Sequence, residues 1–206
     1  WIVRSGTKIT SELLKEANNL KVIGRAGVGV DNIDIQEATN RGVVVMNNPD
    51  GNTISAAEHT IAMMMALARN IPQANESLRQ GEWKRSSFTG VEVRNRTLGI
   101  IGLGKVGTEV SRRALGLEMN ILGYDPFIPQ EYAKSIGIKL TSLEEIFRNA
   151  DFICLHTPLT ESTRGLIGED QIALMKPNVR ILNVARGELI DEEALSKAVD
   201  EERIAG

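Results

Sequence analysis

The amino-acid sequence predicts an α/β protein whose strands form parallel sheets. Three observations lead to this prediction: short apolar strands alternate with helical segments from Thr97 onward, the first fifty residues repeat that alternation, and a glycine-rich turn joins a strand to a helix. Strands that alternate with helices require crossover connections, which are right-handed and place the strands side by side in parallel.

The composition narrows the function classes. The chain has 206 residues, enough for one large domain or one and a half ordinary ones. Its net charge of −3, from 24 basic and 27 acidic side chains, offers no electrostatic attraction for nucleic acid. No stretch has the length and apolarity of a membrane span, and no signal peptide is visible, so we expect no membrane partner.

The cysteine and histidine content argues against disulfide and metal chemistry. Cys154 is the only cysteine and stands in the apolar run 152–155, which is typical of a buried strand thiol. One cysteine and two distant histidines do not form a ligand cluster, so no metal site is expected. These observations favour a cytoplasmic protein.

Both ends of the chain lie in strand-like sequence. Trp1 opens an apolar strand without an initiator methionine, and residues 204–206 stop where another strand can begin. We therefore expect an internal piece of a longer protein.

The first fifty residues have the sequence of part of a domain. Strands are expected at 2–3, 22–23 and 42–46, and helices at 11–18, with Thr10 as N-cap, and from Asp34, which has capping-box spacing to Glu37. The turn-rich segment 47–52 follows and is typical of a hinge. The prediction is a partial domain at 1–50 and a second domain at 51–206.

A long helical pattern covers residues 55–80. Ser55 and Glu58 have capping-box spacing, and Pro72 should kink or break the helix. The row 63–67 is apolar almost all round, which indicates a helix buried between bodies or between subunits. Ordinary core methionines are an equally good interpretation.

From Thr97 onward the pattern predicts a doubly wound sheet. Strands are expected at 98–101, 120–124, 138–140, 152–156 and 180–183, and helices at 106–115, 129–136, 143–149, 169–175 and 192–200. Ser142 and Asp191 are the expected N-caps of the third and last of these helices.

The first strand of this sheet runs into Gly102-x-Gly104-x-x-Gly107, and the second ends at Asp125. This order is typical of a Rossmann dinucleotide site, in which the first glycine permits the turn, the second admits a pyrophosphate and the third lets the helix pack closely. The acid accepts hydrogen bonds from ribose hydroxyls and repels a 2′-phosphate. The predicted cofactor is therefore NAD.

Two further strand ends carry polar residues. Arg186 follows the fifth strand and offers a planar fork that matches a carboxylate, although pairing with Glu188 or Asp191 on the surface is the alternative. His156 ends the fourth strand, and we expect it to line the cofactor wall rather than to act as general base. His59, in the long helix, is expected to be a packing or interface residue.

Several strings together carry a resemblance to the D-2-hydroxyacid dehydrogenases: 3–9, 24–33, 51–58, 98–107, 156–159 and 183–187. The resemblance covers essentially the whole chain. It implies a Rossmann domain, part of a flavodoxin-like substrate domain, an active site in the cleft, a small 2-hydroxyacid substrate, NAD, and a homodimer or higher homo-oligomer.

The resemblance also implies roles for residues. Arg186 matches the catalytic arginine that orients the substrate. Substrate positions match Arg4, Ser5, Arg25 and Gly27, and cofactor positions match Gly102, Gly104, Lys105, Val106, Gly107, Asp125, Thr157, Pro158, Val184 and Ala185. The family's acid/base histidine and its glutamate partner should lie beyond Gly206.

Three functions follow from the resemblance. The favoured one is oxidation of D-3-phosphoglycerate to 3-phosphohydroxypyruvate by hydride transfer to NAD. A second is oxidation of an unphosphorylated acid of the glyoxylate, hydroxypyruvate or lactate type. A third, from a different class, is an NAD(H)-sensing interaction protein of the corepressor kind.

Overall fold

A computed structural model describes all 206 residues, which divide into the units Trp1–Thr53 and Ile54–Gly206. The first unit contains three parallel strands in the order β1-β2-β3. Its elements are β1 (Ile2–Val3), α1 (Ser11–Glu16), β2 (Val22–Arg25), α2 (Ile35–Asn40) and β3 (Val44–Asn47).

Side chains cap both helices of the first unit as predicted. The Thr10 hydroxyl accepts a hydrogen bond from the Leu13 amide at 3.4 Å, and the Asp34 carboxylate accepts one from the Glu37 amide at 2.9 Å. One face of the sheet forms a core with α1 and α2, because Val3 and Ile23 are buried there with Leu14 and Ala38. The side chains of the opposite face are exposed, among them Ile2, Val22, Val44 and Met46.

The long helical pattern is interrupted at Asn70. Helix α3 (Thr53–Arg69) ends there and α4 (Ile71–Arg79) begins, with Asn70 in the left-handed conformation at φ 52°. Pro72 stands in the first turn of α4, where its missing N–H removes no intrahelical hydrogen bond. The predicted break is confirmed. The predicted capping box at Ser55 is wrong, because α3 begins at Thr53 and already includes Ser55.

The methionine row of α3 is mostly core. Met64 is buried with Leu98 and Val110, and Met65 and Leu67 pack against the same cluster, whereas Met63 is 37% exposed. Of these three methionines and one leucine, all but Met63 therefore pack within the second unit.

The second unit contains five parallel strands in the order β6-β5-β4-β7-β8. The remaining elements are β4 (Thr97–Ile101), α5 (Lys105–Gly116), β5 (Asn120–Tyr124), α6 (Gln130–Ser135), β6 (Lys139–Leu140), α7 (Leu143–Asn149), β7 (Phe152–Leu155), α8 (Glu169–Leu174), β8 (Arg180–Asn183) and α9 (Glu192–Asp200). Each predicted strand and helix is present within a few residues, and Ser142 and Asp191 cap α7 and α9 as predicted. The doubly wound α/β architecture is confirmed.

Helices cover both faces of this sheet. One apolar cluster joins the sheet to α3, α5 and α6, and the other joins it to α7, α8 and α9. Cys154 lies in the first cluster as the predicted buried strand thiol, and its burial raises the pKa of the thiol above its usual range. No helix of the chain combines the length and apolarity needed to cross a bilayer.

The register brings the carboxyl ends of the central strands together. Ile101, the last residue of β4, pairs with Tyr124 of β5 on one side and with Leu155 of β7 on the other. Strand order reverses around β4, and ligands of open α/β sheets bind at such a switch point, outside the carboxyl ends of the strands.

Candidate functional site

The glycine-rich turn follows β4, and its three glycines have different surroundings. Gly102 has φ +95°, and a Cβ atom there would lie 2.7 Å from the His156 carbonyl carbon. A Cβ atom on Gly107 would lie 2.0 Å from the Gly102 carbonyl oxygen. Apart from the adjoining main chain, no atom lies within 4 Å of the Cβ position of Gly104. Backbone contacts therefore exclude side chains at Gly102 and Gly107, whereas Gly104 borders open space.

The glycine-rich turn and the start of α5 fit a dinucleotide. Gly104 precedes α5 directly, and no side chain caps the helix there. The first amide groups of a 12-residue helix carry partial positive charge, which favours an anion such as a pyrophosphate. Lys105 and Val106 are the first two residues of this helix.

Asp125 follows β5 and lies beside the glycine-rich turn. Its Oδ2 atom accepts a hydrogen bond from the Leu103 amide at 2.8 Å, and its Oδ1 atom accepts one from the Phe127 amide at 2.9 Å. A carboxylate has about four acceptor positions, so two backbone donors leave positions for hydroxyl groups of a ribose.

His156 follows β7, and its main chain forms one wall of the turn. The His156 amide donates to the Ile101 carbonyl at 2.8 Å, next to Gly102. Burial lowers the pKa of His156 to about 4, so the imidazole is neutral at neutral pH. Its Nε2 atom is buried and has no hydrogen-bond partner. Thr157 and Pro158 continue this wall along the chain.

Arg186 lies in a loop that Asn183, the last residue of β8, organises. Asn183 Oδ1 accepts a hydrogen bond from the Ala185 amide at 3.0 Å, and Asn183 Nδ2 donates to the Arg186 carbonyl at 2.6 Å. Arg186 Nη1 donates to the Ala185 carbonyl at 2.8 Å. Val184 and Ala185 thus form a turn held by a side chain, and Arg186 is half-buried at its end.

The predicted substrate residues of the first unit lie at the carboxyl ends of its strands. Arg4 and Ser5 follow β1 and are exposed, and Arg25 ends β2. The Arg25 side chain folds over Gly27, where a Cβ atom would lie 1.5 Å from Nη1, so only glycine fits there in this conformation. Arg25 Nη1 donates to the Ala26 carbonyl at 3.3 Å.

Two residues that shape the second unit's site were not among the predicted site residues. Asn183 was predicted at a strand end and lies in the string 183–187, but it was given no role of its own, although an Asn before a short loop is a known signal for a side-chain-held turn. Thr108 follows the last glycine of the motif, and its hydroxyl donates to the Leu103 carbonyl at 3.0 Å. No pattern in the sequence indicates that contact, because it depends on the path of the turn.

Comparison with known proteins assigns the chain to a family. Residues 61–206 match the NAD binding domain of the D-isomer specific 2-hydroxyacid dehydrogenases. The chain belongs to this family. The match confirms the predicted family, the Rossmann-type domain and NAD as its cofactor.

Relatives of known name extend the similarity over the whole chain. The D-3-phosphoglycerate dehydrogenase of Methanocaldococcus jannaschii is 55% identical over 98% of this chain and 39% of that protein. The enzyme of the same name from Archaeoglobus fulgidus is 52% identical over 99% of this chain and 39% of that protein. The chain therefore spans about two fifths of the length of these relatives.

A solved structure has a similar fold. The D-lactate dehydrogenase of Aquifex aeolicus, crystallised with NAD and lactic acid, superposes with a TM-score of 0.93 at 34% identity. The superposition covers 100% of this chain and 62% of that one.

Proposed function

We propose that the protein carrying this chain oxidises D-3-phosphoglycerate to 3-phosphohydroxypyruvate with NAD, the first step of phosphorylated serine biosynthesis. The observation that carries the choice of substrate is the 55% identity, over 98% of the chain, with a D-3-phosphoglycerate dehydrogenase. The geometry of the second unit supports the dinucleotide part of the proposal independently, through the open space at Gly104 and the carboxylate of Asp125.

The residues that would hold NAD come from three strand ends. The start of α5, with Gly104, Lys105 and Val106, would bind the pyrophosphate, and Asp125 would accept hydrogen bonds from the adenosine ribose. Thr157, Pro158, Val184 and Ala185 would form the wall around the nicotinamide. When bound, the nicotinamide supplies the hydride acceptor for C2 of the substrate.

Arg186 would hold the substrate. Its guanidinium keeps its charge at working pH, and its planar fork can bind a carboxylate through two parallel hydrogen bonds. The Asn183-held turn fixes the main chain on both sides of this residue. Arg186 would therefore orient the carboxylate and the C2 oxygen so that C2 faces the nicotinamide.

Residues of the first unit would recognise the rest of the substrate. Arg4 and Arg25 are basic, Ser5 follows Arg4 directly, and Gly27 is two residues after Arg25. Two guanidinium groups suit a phosphate ester, which distinguishes phosphoglycerate from lactate or glyoxylate. His156 is assigned no proton transfer, because burial holds its pKa near 4.

The proposal includes a cytoplasmic homo-oligomer. Exposed apolar side chains that suit a second copy of the chain are Ile71 and Leu78, one heptad apart on α4, and Trp83 just after it. Sedimentation of the full-length protein at several concentrations tests this part, and a monomer at all of them would contradict it.

A spectrophotometric assay of the full-length protein tests the function. NAD is offered with D-3-phosphoglycerate, D-lactate, D-glycerate and glycolate, and formation of NADH is followed. Selective NADH formation with D-3-phosphoglycerate is expected. Reaction only with unphosphorylated acids would support dehydrogenase chemistry but contradict D-3-phosphoglycerate as the substrate. NAD binding without turnover of any acid would indicate an NAD(H)-sensing interaction protein.

A further inference from the structure

Leu103, between the first two glycines of the turn, has both of its peptide groups held by side chains. Its amide donates to Asp125 Oδ2 at 2.8 Å, and its carbonyl accepts from Thr108 Oγ1 at 3.0 Å. The Leu103 side chain is buried and packs over Gly123 of β5, where a Cβ atom would lie 2.8 Å from Leu103 Cδ1. Three separate contacts thus fix one residue of the glycine-rich turn.

The position of Leu103 determines where the next residues lie. Gly104 follows it and borders the open space, and Lys105 begins α5. Glycine-rich segments sample many backbone conformations and lose more conformational entropy on ordering than other segments. A turn that is already ordered before its ligand arrives binds that ligand more tightly, because binding then involves no further loss of conformational entropy in the turn.

We propose that Thr108 and Asp125 form a clamp on Leu103 that holds the glycine-rich turn ready for the pyrophosphate, and that Thr108 is a positioning residue for dinucleotide binding. This inference rests on the proposed use of a dinucleotide. Thr108 acts at a distance from the phosphates, through the Leu103 carbonyl, and needs no contact with the ligand.

The clamp is compatible with the ribose role of Asp125. Each carboxylate oxygen accepts one backbone hydrogen bond, from Leu103 or from Phe127. An ionised carboxylate has about four acceptor positions, so each oxygen keeps one position for a ribose hydroxyl. Asp125 would therefore order the turn and bind the ribose at the same time.

Thr108→Val is the informative substitution, because valine keeps the branched shape and removes the hydroxyl. Thr108→Ser keeps the hydroxyl and serves as the conservative variant. Ser111→Ala is a matched control, since the Ser111 hydroxyl donates at 2.7 Å to the Thr108 carbonyl within the same helix.

Two measurements on the full-length protein test the clamp. Calorimetric titration compares ADP, which has the pyrophosphate, with adenosine, which has only the ribose and base. Hydrogen exchange in the absence of ligand compares the amide of Leu103 with that of Ile100, which is buried in β4. For Thr108→Val we expect a dissociation constant for ADP about five- to tenfold higher, an adenosine constant within about twofold, and faster exchange at Leu103 but not at Ile100.

Thr108→Ser and Ser111→Ala should stay within about twofold of the unsubstituted protein for ADP. Unchanged ADP affinity and unchanged Leu103 exchange in Thr108→Val would overturn the clamp. Equal weakening of ADP and adenosine, with faster exchange at Ile100, would overturn it as well, since the hydroxyl would then serve the stability of the domain. If the unsubstituted protein binds neither ADP nor NAD, the proposed function fails, while exchange at Leu103 still tests the clamp.

Discussion

Gly107 packs directly against Gly102, so a Cβ atom on Gly107 would lie 2.0 Å from the Gly102 carbonyl oxygen. Gly104 has φ −64°, which any residue adopts, and open space at its Cβ position. Alanine substitutions at Gly107 and Gly104 should therefore have different effects on stability and on ligand binding. Gly107→Ala should lower the free energy of unfolding by about 1–3 kcal/mol, because the main chain at Gly102 or at residue 107 must move to admit the methyl group.

Gly104→Ala should change the free energy of unfolding by less than about 0.5 kcal/mol and weaken ADP binding by about tenfold or more, since the methyl group enters the space expected for the phosphates. Urea denaturation and ADP titration of both variants provide the measurements. Normal ADP binding by Gly104→Ala would place the pyrophosphate elsewhere.

Asp125→Ala should relax the preference for NAD over NADP. Removing the carboxylate removes the repulsion of a 2′-phosphate, so the ratio of kcat/KM for NADP to that for NAD should rise about tenfold or more. Steady-state kinetics of the full-length protein provide both values.

The matched control for that experiment is Asp151→Ala. Asp151 also accepts a backbone hydrogen bond, from the Thr97 amide at 2.8 Å, but at the opposite end of β4. Its removal should cost stability and leave the cofactor ratio unchanged. An unaltered ratio in Asp125→Ala would remove this residue from the ribose contact.

Arg186→Lys should lose turnover although it keeps the positive charge. An ammonium group does not reproduce the two parallel hydrogen bonds of a guanidinium to a carboxylate, so kcat/KM for the acid should fall about a hundredfold or more, with the Kd for NADH within about threefold. Arg164→Ala, which removes an exposed arginine of the same unit, is the control. Turnover that survives Arg186→Lys would make this arginine a structural residue.

Acid should destabilise the protein through His156. Its folded-state pKa of about 4 lies below the unfolded value of about 6.5, so the unfolded chain takes up a proton first as pH falls. The stability contributed by the neutral imidazole is complete above pH 6.5 and is lost as pH falls from about 6.5 to about 4.

Between pH 7 and pH 4.5 this effect should cost about 2 kcal/mol of unfolding free energy, and His156→Asn should show an acid loss smaller by that amount. His59→Asn provides the control, because His59 is exposed on α3. Denaturant titrations at the two pH values measure the difference. Equal acid losses in His156→Asn and the unsubstituted protein would show that the imidazole is not held neutral by burial.

The features predicted correctly from sequence are those with local causes. Apolar runs bounded by turn residues located all five strands of the larger sheet. The spacing of Gly102, Gly104 and Gly107 located the turn, because backbone contacts exclude side chains at Gly102 and Gly107 and Gly104 borders open space. Thr10 and Asp34 were also identifiable as caps, because each side chain accepts a hydrogen bond from an amide only three residues later in the chain.

The features that were missed depend on contacts distant in sequence or on packing. Ser55 has the local signature of an N-cap, but Thr53 is buried and shares a helix face with the buried Ala57, and α3 begins two residues earlier than predicted. The bond from Leu103 to Asp125 joins residues 22 positions apart, and its existence depends on the register of β4 and β5. Sequence periodicity contains no information on that register, so it does not indicate the bond between Leu103 and Asp125.

The division of the chain after Thr53 has a genetic consequence. Every candidate cofactor residue, from Gly102 to Ala185, is encoded on one side of that point, and Arg4, Ser5, Arg25 and Gly27 are encoded on the other. A single recombination event near the codon for Thr53 would transmit all the candidate dinucleotide-binding residues together. The same event would exchange Arg4, Ser5, Arg25 and Gly27 for the residues of another gene.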